Sequence, residues 1–289
     1  MDDTRTDDRI APLHEPGRSD AVRAIVGSSF AAAVMPVSAQ TQVKTDAAGL
    51  TVGEVSIDVG DFKMPAYRAM PSGKTNLPVV LVVSEIFGVH EHIADVVRRF
   101  AHQGYLAIAP ELFVRHGDAG GYDDVGKLIA EVVNQAKDLQ VMTDLDACVA
   151  WATGQGGDAT RLGITGFCWG GRTVWMYAAH NPALKAGVAW YGPVARAYAP
   201  GDKTALQVAA QVKAPMLGLY GGADAGIPND TVEQMRTALK VAGNSASEMV
   251  LYPDTPHAFH ADYRPNYRKP AADDGWRRCL DWFKRHGVA

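Results

Sequence analysis

Four side chains able to do chemistry lie at or just beyond the ends of apolar runs: Glu85 in "LPVVLVVSE", Cys168 after "RLGITGF", Asp224 after "LGLYGGA" and His257 after "MVLYPDTP". Three of them come in the order nucleophile, acid, histidine, with spacings of 56 and 33 residues. A thiol can add to a carbonyl carbon, an imidazole can carry its proton, and a carboxylate can fix the imidazole tautomer. That set points to acyl transfer. Gly166-Phe167-Cys168-Trp169-Gly170 has the spacing of a nucleophile elbow, G-x-S-x-G, with cysteine in the serine position. An elbow exposes its side chain from a strained turn between strand and helix, and its flanking positions must be small where neighbouring backbone passes close. The helix that follows aims its N-terminus at the sulfur and favours thiolate.

Each member of the set has a competitor. His260 stands three residues after His257, and Asp230 six after Asp224. Asp230 has another explanation, as the N-cap of the helix in "DTVEQMRTALKVAG" with Glu233 three residues on. Asp224 and His257 also have a plain reading as loop residues. The pairs "HEH" at 90–92 and "HAFH" at 257–260 invite a metal reading. Residues two apart on a helix face different sides, and no third ligand at useful spacing joins His257 and His260, so neither metal nor cofactor is expected. Cys148 and Cys279 read as packed apolar thiols. Three widely spaced cysteines form no disulfide framework, and no resolving cysteine lies near Cys168 in sequence.

The elements that must position these residues alternate from Thr51 onward. "GEVSIDVG" and "MPAYRAM" read as a hairpin around "DFK". "LPVVLVVSE", "YLAIAP", "RLGITG", "AGVAWYG", "APMLGLYG" and "SEMVLYP" read as strands. "HIADVVRRFAHQG", "RTVWMYAAH", "DTVEQMRTALKVAG" and "KPAADDGWRRCLDWFKRHG" read as helices, with a further one, broken or bent, reaching about Trp151. Residues 113–126 show turn formers and no period. This rhythm predicts one α/β domain over 46–289, a mostly parallel central sheet with helices on both faces. Ligands bind such sheets beyond the carboxyl ends of the strands, where the four residues fall.

The chain has 289 residues and a formal net charge of −4, with no basic run, which argues against a nucleic-acid surface. Residues 1–45 form an extension, disordered or signal-like: a polar start, then a moderately apolar segment ending Val37-Ser38-Ala39. Cleavage there would give a periplasmic or secreted protein beginning near Gln40; without it the protein is cytoplasmic. The segment is too short and interrupted for stable membrane insertion.

Taken together, "SEIFGVHEHI", "GYLAIAPELF", "GFCWGGR", "WYGP", "GGADAGIP" and "PDTPHAF" resemble the dienelactone hydrolase (carboxymethylenebutenolidase) family of the α/β-hydrolase fold, over roughly residues 50 to 287. The resemblance implies a triad of Cys168, Asp224 and His257, with Glu85 contacting the resting thiol and taking part in its activation. It also implies a small ester or lactone as partner. Backbone N–H groups of Ile86 and Trp169 would form the oxyanion hole. In that family two arginines hold a substrate carboxylate. Arg115 stands at one of those positions, whereas the other is Ala261, with Arg264 and Arg268 as the nearest substitutes. Tyr191, in "WYGP", lines the pocket or packs as an aromatic with a wet hydroxyl. The expected activity is opening a lactone or cleaving a small ester through an acyl-cysteine, with dienelactone itself less favoured than some uncharged substrate. The rival readings are an esterase or thioesterase of unrelated substrate and a non-catalytic α/β-hydrolase-fold binding protein, which loss of a triad member would mark. The sequence does not specify an oligomeric state.

Overall fold

The structure, a computed structural model, describes residues 41–289; the signal-like segment ending at Ala39 lies outside the described residues. Eight strands form one sheet: β1 Leu50–Val59, β2 Phe62–Pro71, β3 Leu77–Val83, β4 Leu106–Pro110, β5 Gly157–Phe167, β6 Ala186–Trp190, β7 Met216–Gly221 and β8 Glu248–Tyr252. Their order is β1-β2-β4-β3-β5-β6-β7-β8. The hairpin β1–β2 and its join to β4 are antiparallel; every other pairing is parallel. All residues of β3, β4, β6 and β7 are buried. Since alternate side chains of a strand point to opposite faces, the centre of the sheet is covered on both sides. The continuous apolar runs in the sequence have this cause.

Among the described residues seven α-helices accompany the sheet: α1 Glu91–His102, α2 Val125–Glu131, α3 Asp138–Gly154, α4 Trp169–His180, α5 Ala205–Val208, α6 Asn229–Val241 and α7 Lys269–Arg285. Helix α1 buries Ile93, Val96, Val97 and Phe100 along one stripe. The break or bend expected before Trp151 is a full break between α2 and α3. Two sequence expectations change. Helix α6 begins at Asn229 behind Pro228, so Asp230 lies inside its exposed first turn and is not the N-cap. Proline fixes φ for that entry and leaves the cap without a side-chain acceptor. The folded part also starts before residue 46: Asp262 accepts from the backbone N–H of Val43 at 2.6 Å, and Asp95 accepts from that of Thr45 at 2.5 Å. Among the described residues no helix is long and apolar enough to cross a membrane.

Candidate active site

Cys168 joins β5 to α4 with φ 55° and ψ −115°, outside the ordinary regions for a residue with a Cβ. Local packing holds it there. A Cβ on Gly166 would overlap the Gly170 carbonyl, and one on Gly170 would overlap the Val83 and Ser84 carbonyl oxygens at the end of β3. The two glycines therefore let the elbow settle onto the neighbouring strand. Behind it, Arg172 is fully buried, bonded through both terminal nitrogens to Asp138 at 2.7 Å, and its backbone N–H donates to the Cys168 carbonyl. Trp169 is the first residue of α4, where a helix leaves its N–H without an intrahelical acceptor. Ile86, fully buried, follows β3.

The loops after β7 and β8 bring the next two residues together. His257 Nδ1 and Asp224 Oδ2 are 2.6 Å apart and both residues are buried. The other Asp224 oxygen accepts from the Gly226 N–H at 2.8 Å, which fixes the carboxylate, and Asn266 donates to the His257 carbonyl. An ionised carboxylate only accepts, so Nδ1 carries the hydrogen of that bond. Cys168 lies against the same ring. Burial alone would discharge the imidazole, but Cys168 and the bond to Asp224 outweigh it and push the His257 pKa up to about 10. The competitor His260 is a core residue: its ring packs on Phe167 and Trp190, and burial holds its pKa well below the usual histidine value.

Glu85 is equally buried, and its partners differ from those the resemblance implies. His90 Nε2 stands 3.2 Å from Oε2, and the Tyr263 hydroxyl donates to Oε1 at 3.4 Å. Burial would raise the Glu85 pKa, yet the His90 bond and charge, with His92 and Arg264 nearby, bring it down to about 2. A thiol is a weak donor beside an imidazole N–H and a phenol, which explains why the carboxylate turns to those two. His90, the residue before α1, is weighed in the sequence only as a metal ligand and is instead a neighbour of Glu85; its signal is a histidine five residues after Glu85 on one tight loop.

The two arginines have different surroundings. Arg115 forms a bidentate pair with buried Asp144 at 2.6 and 2.9 Å, and its guanidinium lies 4.2 Å from the centre of the Phe62 ring. Its donors are thus committed to the scaffold, and the structure does not join it to the cluster. Arg264 is 7% exposed, sits between the Phe87 and Tyr263 rings, and has Nε and Nη2 with no acceptor. Arg268 bonds the Pro265 and Tyr267 carbonyls. Tyr191 is fully buried with φ 39°, set edge-on to His257 at 5.1 Å, and its hydroxyl finds no acceptor. Burial and the nearby Glu85 raise its pKa well above the phenol value. A buried unpaired hydroxyl on a strained backbone beside the imidazole is a feature of ligand sites.

An α/β-hydrolase fold with a thiol at its elbow defines the class. The sequence matches the dienelactone hydrolase family over residues 64–287, and the chain belongs to that family. It is 55% identical over 279 residues to a Methylorubrum extorquens protein named "Putative carboxymethylenebutenolidase", covering 94% of each chain. An Escherichia coli K12 protein of the same name is 51% identical over 267 residues, covering 90% of this chain and 96% of that one. The crystal structure of a Klebsiella pneumoniae protein named "Putative Dienelactone Hydrolase" superposes with a TM-score of 0.79 at 53% identity, over 81% of this chain and 98% of that one. The chain is thus a hydrolase of a family that acts on small molecules.

Proposed function

We propose that this enzyme hydrolyses a small ester or lactone through an acyl-cysteine intermediate, with Cys168 as nucleophile, His257 as base and acid, and Asp224 holding the ring. The observation that carries this reading is the Asp224–His257 bond of 2.6 Å beside a cysteine on a strained elbow. The Cys168 thiol gives its proton to His257 as the sulfur attacks the carbonyl carbon, forming a C–S bond while the carbonyl electron pair moves to oxygen. Trp169 and Ile86 N–H groups receive that oxyanion, a role worth about 3 kcal/mol per donor in comparable sites. The intermediate collapses, the C–O bond breaks, and the leaving alkoxide takes the proton from His257. In a lactone it stays attached to the acyl group. Water then gives a proton to His257 and adds to the thioester; the C–S bond breaks and the sulfur regains its starting state.

Arg264 and Tyr191 supply donors for oxygen atoms next to the scissile bond. Glu85 opposes the Arg264 charge and Asp144 that of Arg115, which argues against a paired-arginine clamp for a carboxylate. An uncharged ester or lactone is the substrate class this favours. Cys168→Ala should abolish hydrolysis of an activated aryl ester and leave the circular dichroism spectrum unchanged. On a substrate panel, the wild type should turn over a neutral lactone more efficiently than cis-dienelactone. Undiminished turnover by the alanine variant would overturn the nucleophile, and a strong preference for the carboxylated lactone would overturn the substrate class.

A further inference from the structure

Glu85 lies on the same loop as the proposed oxyanion donor Ile86, and it and Cys168 act electrostatically on the same two tyrosines, Tyr191 and Tyr263. Its bonding is asymmetric. The stronger donor, His90, comes from its own loop, and the weaker, Tyr263, from the loop after β8. An ionised carboxylate offers only lone pairs, so His90 Nε2 must donate. His90 is itself braced: its ring stacks on His92 at 6.1 Å and meets Tyr263 edge-on at 5.0 Å. The loop bearing it is pinned by Glu111, which accepts from the Val89 N–H at 2.9 Å and fills the space a side chain on Gly88 would take.

We infer that His90 is a positioning residue that holds the Glu85 carboxylate away from the sulfur, so that Cys168 is paired with His257 before substrate arrives. This rests on the acyl-cysteine reading above and adds to it a division of labour: one imidazole for the thiol, a second for the neighbouring carboxylate. The titratable and charged groups facing Glu85 are His90 from its own loop, His92 from α1, Tyr191 after β6, and Tyr263 and Arg264 after β8. Glu111, after β4, adds a charge beside His90. Of these, His90 makes the shorter hydrogen bond to the carboxylate.

Without that ring the carboxylate is free to turn toward the sulfur, where it opposes a second negative charge and makes the thiolate harder to form. The test reads the thiol directly: the rate of Cys168 alkylation by iodoacetamide against pH, followed by mass spectrometry. His90→Asn should move the acidic limb of that profile upward by about one pH unit, the scale on which a neighbouring charge acts. In a Glu85→Gln background the same substitution should produce no further movement. A His90→Asn profile that superimposes on the wild type, or a shift of equal size in the Glu85→Gln background, would sink the inference. If His90→Asn does not fold, His90→Leu, which fills similar space without a donor, carries the same comparison. Failure here with Cys168→Ala inactive removes only the role of His90; an active Cys168→Ala removes the underlying reading.

Discussion

The distance that matters most is the 2.6 Å between His257 and Asp224, because it decides which ring nitrogen carries hydrogen. Asp224→Asn keeps the shape and offers Nδ1 an amide able to reverse that choice. The expected loss in kcat is about 10⁴-fold, as for the equivalent change in serine hydrolases. The same substitution alters stability in a predictable direction. The folded-state pKa of His257 is raised to about 10, so its contribution is fully present below the unfolded value, about 6.5, and is lost as pH rises through 10. Melting temperatures measured from pH 6 to 10 should fall less steeply in Asp224→Asn than in the wild type; parallel curves would refute the linkage. At this scale the sequence was informative wherever a residue had a motif around it. Cys168 came with two glycines, and His257 with a strand end. The partners of Glu85 were not legible, because the preference of a buried carboxylate depends on which donors the fold brings near. Tyr263 comes from 178 residues away.

Elements carry the constraint that makes the elbow possible. The strands were readable because burial on both faces demands unbroken apolar runs, and their order at the carboxyl edge follows from right-handed crossovers. Bends and caps were less so. The break between α2 and α3 and the entry of α6 at Pro228 depend on packing, and Asp230 shows how a good capping pattern yields to a proline two residues earlier. The glycines of the elbow were legible as a need for space, and the space is a backbone one. Gly170→Ala would drive a methyl group into the Val83 and Ser84 carbonyls, which cannot move without unpairing β3. Overpacking of this kind costs about 3 kcal/mol, or roughly 6–12 °C in a chain of this size. Gly154→Ala, at the end of α3 with open space around it, should cause no loss. Equal melting temperatures for the two variants would show that the elbow has slack.

Across the whole molecule, one buried carboxylate ties three distant parts of the chain together. Asp262 accepts from His92 Nδ1 at 2.8 Å on α1, and from the Val43 N–H at 2.6 Å and the Thr41 hydroxyl at 3.2 Å on the leading segment. The loop that holds Asp262 also bears His257, Tyr263 and Arg264, so the segment before the first strand is fastened to the site-bearing loop. Nothing local in the sequence announces a contact between residues 219 apart, one of which contributes only its backbone. This is why the domain boundary read from composition fell several residues late. Asp262→Ala would leave buried donors on both sides without an acceptor, and breaking a buried charged network by removing one partner costs about 3–5 kcal/mol. Hydrogen exchange locates the effect. The Val43 amide should lose protection in Asp262→Ala, while amides of β5 and β6 keep theirs until global unfolding. Should the Val43 amide stay as slow as in the wild type, the leading segment is held by something other than Asp262, and the tie between it and the loop bearing His257 falls.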